Sequence, residues 1–220
     1  MDKKDRVITI IEILKKATKG MEQPASSVIV ENYGRNPYLV LISCLLSLRT
    51  RDAVSLPASI RLFKEAKTPK QMLALSTLKI EKLIYPTGFY RRKAVLLHEV
   101  SQDLLDRFKG KVPADLDQLM SIKGVGLKTA NLVLGVAFEI PAICVDTHVH
   151  KISNRLGLVK TDTPEETEQE LKKIVPSKYW VEFGHLMVQW GQNICVPISP
   201  FCSKCAIAKV CPRIGLTKHR

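Results

Sequence analysis

In the stretch Ile122-Lys123-Gly124-Val125-Gly126-Leu127-Lys128, a lysine stands two residues past a glycine, where an apolar helix begins. A cation is out of place there, because the unpaired N–H groups and the helix dipole already make that end positive. The positive helix end, the neighbouring basic groups and partial burial all disfavour the ammonium form of Lys128. A neutral amine is a nucleophile that can form a Schiff base with a sugar aldehyde equivalent. On this stretch alone, a lysine that only binds phosphate is the simpler account.

Eighteen residues on, Val145-Asp146-Thr147-His148 opens another helical run, in which Val145, Val149, Ile152 and Leu156 share a face. That spacing makes Asp146 the N-cap, held in orientation by backbone N–H groups. Asp146, His148 and His150 are not a metal triad, because on a helix the two histidines lie about 200° apart. Cys195, Cys202, Cys205 and Cys211 have the spacing C-x6-C-x2-C-x5-C. Four thiolates so close in sequence can enclose one four-coordinate centre, zinc or an iron–sulfur cluster, and spacing alone does not choose between them.

The elements that position these groups are helical. Asn36-Pro37, Thr68-Pro69 and Thr163-Pro164 each place a cap residue before a proline at the first helical position. Thr163 with Glu166 reads as a capping box, and Gly20 and Gly110 follow lysine-bearing helix ends. Val7, Ile10, Ile11 and Leu14 mark one amphipathic helix, and residues 89–108 another. No segment sustains a period of two, so the expectation is an all-α protein of about ten helices. Residues 116–120 form a short helix, 122–126 a tight turn, and Ala130, Val133, Leu134 and Ala137 the stripe of the next helix. This is a helix-hairpin-helix at about 115–137, in which Gly124, Val125 and Gly126 offer backbone N–H groups to a phosphate without reading bases.

Composition supports a nucleic-acid partner. Lys and Arg total 34 against 21 Asp and Glu, a formal charge of +13. The charged N-terminus is unlike a secretory leader, and no apolar run is long enough for a membrane helix. A cytoplasmic, nucleoid-associated protein is expected.

Taken together, Gly124–Asn131 (GVGLKTAN), Val145–His148 (VDTH), Leu45-Leu46-Ser47 with Asp52, Thr87–Ala94 (TGFYRRKA) and the cysteine array resemble the endonuclease III branch of the helix-hairpin-helix DNA glycosylases. The resemblance implies a six-helix domain near 29–140 and a [4Fe-4S] cluster domain from 1–28 plus 141–220. Duplex DNA bearing a damaged base or abasic site would lie across the cleft between them, and the enzyme would act as a monomer. Lys128 would attack C1′ of the damaged nucleotide and expel the base. The resulting imine permits strand cleavage by β-elimination, with Asp146 assisting deprotonation and stabilising positive charge on the sugar. The four cysteines would hold the cluster as a structural centre.

By family position Phe89 is a wedge that offsets unstacking when a nucleotide is flipped, the alternative being a core phenylalanine. Arg49 stands where bacterial relatives usually have glutamine, and an arginine can stack on the orphaned base and donate to it. The first cysteine loop, 196–201, lacks basic residues, whereas Lys204, Lys209, Arg213, Lys218 and Arg220 follow with no acid beyond Glu182. Removal of oxidised pyrimidines is the leading expectation. A monofunctional mismatch- or adenine-type glycosylase, or a non-catalytic DNA binder with zinc, are the alternatives.

Overall fold

A computed structural model describes residues 2–220. Among them are twelve α-helices, three 3-10 helices and no strand. The all-α expectation holds, with two more α-helices than read from the sequence.

Local capping explains where many helices begin. The Asn36 side chain accepts from Tyr38 N at 3.0 Å and Leu39 N at 3.2 Å at the start of α3 (Pro37–Ser47). Thr68 caps α5 (Pro69–Ala74) through Gln71 N. Thr163 caps α11 (Pro164–Ile174) through Glu166 N, while Glu166 reaches back to Asp162 N, one residue further than a standard capping box requires.

The chain divides into two compact units, Ala25–Ile140 and Met1–Pro24 with Pro141–Arg220. The first holds α2 (Ala25–Tyr33), α3, α4 (Asp52–Glu65), α5, α6 (Thr77–Ile84), α7 (Tyr90–Phe108), α8 (Leu116–Met120) and α9 (Leu127–Phe138). Its central element is α3, which buries every residue from Tyr38 to Leu46. A helix apolar all round must be enclosed, and α2, α4, α7 and α9 pack against α3. The second unit gathers α1 (Lys3–Ala17), α10 (Thr147–Arg155), α11 and α12 (Trp180–Asn193). Val7, Ile10, Ile11 and Leu14 of α1 enter one core with Val149, Ile152, Leu171, Phe183 and Trp190. The stripe read for α1 is therefore its core face.

Candidate active site and nucleic-acid interface

In the unit of residues 25–140, α8 is capped by Asp115, which accepts from Gln118 N at 2.9 Å. Buried Ile122 and Val125 anchor the turn that follows. Gly124 has φ +81°, and a Cβ there would stand 2.9 Å from Leu96 Cδ2, so the turn requires glycine. Gly126 is the N-cap of α9, with φ −95° and nothing within 4 Å of a notional Cβ. Nothing inside the chain demands glycine there, and no side chain caps the helix. The turn therefore carries uncapped backbone donors with open space beside them, an arrangement suited to an anion.

Lys128 lies in the first turn of α9, as expected, but its side chain is exposed rather than partly buried. The inward positions of that turn are taken by Thr129, Ala130 and Asn131. Burial pushes the Cys44 thiol on α3 up to about 12, against the opposing pull of the Lys128 charge.

Arg49 and Phe89 come together. The Arg49 guanidinium stands 5.8 Å from the centroid of the Phe89 ring. Phe89 is not a core residue but is 55% exposed. It is the N-cap of α7 rather than part of the helix, because its φ of +58° is left-handed. Arg49 has φ +52°. A left-handed non-glycine residue costs roughly 1–2 kcal/mol, so local contacts must hold both. Gly88 N donates to Thr50 Oγ1 at 3.0 Å. A Cβ on Gly88 would come 2.8 Å from the Arg49 carbonyl oxygen, so glycine permits the two loops to touch. The sequence reading missed Lys93, buried beneath this contact. Its signal was a lysine on the apolar stripe of Ala94, Leu97, Val100 and Leu104.

In the unit containing both chain ends, Asp146 caps α10. Its Oδ1 accepts from His148 N at 2.8 Å and Val149 N at 2.9 Å, which leaves Oδ2 outside the cap. The carboxylate is half-buried and held in orientation. The two histidines diverge as helical geometry demands. His150 Nδ1 pairs with Thr167 Oγ1 at 2.7 Å, and the His148 ring lies against Gly191, where a Cβ would approach Nδ1 to 2.4 Å.

The cysteines follow α12 in a run of turns that carries two of the three 3-10 helices, Cys202–Lys204 and Ala208–Val210. Cys195 N donates to Trp190 O at 2.8 Å and Cys205 N to Cys202 O at 3.3 Å. Arg155 at the end of α10 donates to Cys195 Sγ at 3.3 Å, to Val196 O at 3.1 Å and to Pro197 O at 2.8 Å. Burial raises the Cys195 thiol, opposed by the hydrogen bond and charge of Arg155. Burial also raises that of Cys205, opposed by the Ile207 N–H and the Trp190 indole. The buried Trp190 Nε1–H completes no hydrogen bond of good geometry. All four thiols are free of disulfides. Among the described residues, no three of His, Cys, Asp and Glu gather tightly enough for a single ion.

The chain tail folds onto the first cysteine loop, which sequence did not reveal. Arg220 stacks at 3.9 Å on Phe201, and its backbone N–H donates to Pro200 O at 2.8 Å. The loop exposes Ile198 and takes its cations, Arg220 and Lys204, from flanking positions.

Comparison with known proteins decides the family. Residues 42–177 match the HhH-GPD superfamily of base excision DNA repair proteins. The chain belongs to that superfamily. The HhH-GPD match takes in Arg49, Phe89, Lys128 and Asp146 and stops short of the four cysteines. Among curated HhH-GPD relatives, endonuclease III of Thermotoga maritima is 45% identical over 83% of this chain and 88% of its own. Endonuclease III of Bacillus subtilis is 36% identical over 80% and 81%. A longer plant relative, endonuclease III homolog 1 of Arabidopsis thaliana, is 36% identical, and the matched region spans 58% of it. A solved structure of a trapped endonuclease III–DNA covalent intermediate has a TM-score of 0.84 at 34% identity, covering 97% of both chains. A thermostable thymine-DNA glycosylase has a TM-score of 0.82 at 24% identity, which shows a shared fold. Among the described residues, no helix is long and apolar enough to cross a membrane.

Proposed function

We propose that this chain is a bifunctional DNA glycosylase and abasic-site lyase of base excision repair, removing oxidised pyrimidines from duplex DNA in the nucleoid. The observation that carries the reading is its likeness, along nearly the whole length of both chains, to an endonuclease III caught covalently attached to DNA.

Lys128 is the nucleophile in this reading. Its Nζ attacks C1′ of a nucleotide flipped from the stack, the C1′–N bond breaks, and the base leaves with the bonding electrons and gains a proton. Loss of protons from Nζ and ring opening give the imine. A proton then leaves C2′ and the C3′–O bond breaks, nicking the strand, after which water hydrolyses the imine and restores Lys128. Asp146 supports both ends of this sequence, as proton acceptor for the amine and as counter-charge to the cationic sugar. Its cap to α10 fixes the carboxylate through Oδ1, so that Oδ2 is the oxygen left for this work. The amides of Gly124 and Gly126 hold a phosphate beside uncapped α9, whereas the Val125 N–H, expected to join them, is spent within the turn on Ile122 O at 3.0 Å. Phe89 enters the stack as the apolar wedge, and Arg49 faces the base left without a partner.

Cys195, Cys202, Cys205 and Cys211 hold a [4Fe-4S] cluster in this reading. The donors around them fit it, since the Arg155 guanidinium reaches Cys195 Sγ and the buried Trp190 N–H, which acts on Cys205, completes no hydrogen bond within the chain. When bound, the cluster supplies structural ties rather than redox chemistry, because glycosyl transfer moves no electrons between centres. Visible absorption, with iron and sulfide in near-equal amounts, is the expected signature; zinc in their place would remove the cluster from the reading.

Duplexes bearing thymine glycol, uracil, 8-oxoguanine, a T:G mismatch or a bare abasic site test the function, each with and without borohydride. Thymine glycol release, nicking of the abasic duplex and a trapped covalent complex are expected. Lys128→Ala should lose nicking and trapping alike, and a complex that still traps would remove Lys128 from its role.

A further inference from the structure

The loops carrying Arg49 and Phe89 are joined by one buried cation. Lys93 is 5% exposed, yet its ammonium uses all three N–H donors. They go to Leu46 O at 2.5 Å, Leu48 O at 2.8 Å and Thr50 Oγ1 at 2.9 Å. Leu46 and Leu48 lie at the C-terminal end of α3, where carbonyl groups lack helical partners and the dipole favours a cation. The Thr50 hydroxyl is also fully used. It donates to Leu48 O and accepts from both Lys93 Nζ and Gly88 N. Lys93 N in turn donates to Phe89 O at 3.0 Å. One residue therefore touches the chain on both sides of Arg49 by its side chain and Phe89 by its backbone. Among the described residues, the three groups to which the Lys93 ammonium donates include no carboxylate, although a buried cation is ordinarily matched by one.

We propose that Lys93 is a positioning residue that locks the Arg49 and Phe89 loops together, presenting the two side chains as a preformed pair for opening the duplex. The pair needs such a lock, since both residues hold left-handed backbones and neither side chain is buried. With Lys93 in place, the loops need no ordering when DNA arrives, and binding energy goes into unstacking instead. The inference rests on Arg49 and Phe89 being the groups that enter the stack. Lys93 itself touches no substrate.

The test uses a duplex with an uncleavable tetrahydrofuran abasic analogue opposite 2-aminopurine, whose fluorescence rises when it unstacks. This readout is independent of Lys128 chemistry. Wild type should brighten the probe, and Lys93→Met should bind the duplex but lose most of the signal. On cleavable duplex the variant should turn over roughly tenfold to hundredfold more slowly, the cost of misplacing a positioned group. On an abasic site in a single strand, where no stack is opened, trapping by borohydride should change far less. Equal losses on duplex and single strand would make Lys93 merely structural and overturn the proposal, as would an unchanged fluorescence signal. Should Lys93→Met fail to fold, Thr50→Val and Gly88→Ala break the same lock from its other side. The first removes the shared hydroxyl and the second thrusts a Cβ at the Arg49 carbonyl. Both should reproduce the loss of probe signal, and normal signals from both would overturn the proposal. If wild type brightens the probe without trapping on any abasic site, the lyase reading fails while the lock stands.

Discussion

Asp146 caps α10, and in the proposed function the same carboxylate also serves the chemistry; a pair of substitutions separates the two. Asparagine keeps an oxygen that can accept from His148 N and Val149 N, so Asp146→Asn retains the cap but loses the charge. Turnover should fall by orders of magnitude while melting temperature and duplex affinity stay close to wild type. Asp146→Ala loses the cap too and should cost about 1 kcal/mol of stability in addition. Equal loss of binding and turnover in the asparagine variant would make the residue structural. Lys93 offers a second test at this scale, through pH. Burial lowers its pKa from 10.5 to about 8. Between those values the unfolded chain carries a proton that the folded chain has released, so the contribution of this group to stability rises with pH across that window. The urea midpoint of wild type should therefore gain on that of Lys93→Met as pH goes from 7.5 to 9.5. A gap that shrinks would mean that folding raises the pKa of Lys93 instead. The ammonium that makes the lock is weakened over the same range, so probe unstacking should decline while stability improves.

The elements show which features a sequence reveals. Caps and turns act over two to four residues, and the caps read at Asn36, Thr68, Asp146 and Thr163 all form. The hairpin was legible for the same reason, because a glycine pair between two apolar stripes leaves few alternatives. The network of Lys93 was not, since its partners lie 43 to 47 residues away and nothing in the local pattern names them. Phe89 was read as helical because a sequence period does not report a left-handed backbone. The tail was read as a source of positive charge, but its anchoring was not legible, because the anchor is a stack between Arg220 and Phe201, set by tertiary structure alone. Within the hairpin, the two glycines should behave differently. Gly124→Ala meets both a positive φ and the Leu96 side chain, and should cost about 1–2 kcal/mol or more. Gly126→Ala meets neither, so thermal unfolding should be unchanged while duplex affinity falls, the new methyl standing in the space a phosphate would take. An alanine at 126 that binds DNA normally would remove these amides from the interface.

Across the whole molecule, a net charge of +13 makes DNA affinity a question of salt. Each phosphate neutralised by Lys or Arg releases condensed counterions and adds about −0.9 to the slope of log affinity against log salt. A protein making six to ten such contacts loses roughly a thousandfold or more between 50 and 200 mM salt. The amides of the hairpin are neutral, however, and holding a phosphate through them releases few counterions. The two kinds of contact should separate in one titration. Gly126→Ala should lower the whole line while keeping it parallel to wild type. A cation at the interface should instead change the slope, and Lys204, near Phe201 in a segment with no acidic residue after Glu182, is the one to test. Lys204→Gln should make the line shallower by about 0.9, while its effect on stability should be small, because the side chain is exposed. A slope unchanged by Lys204→Gln would place the working cations elsewhere on the chain. A flat line for wild type would mean that the excess charge keeps the protein soluble and does not bind DNA.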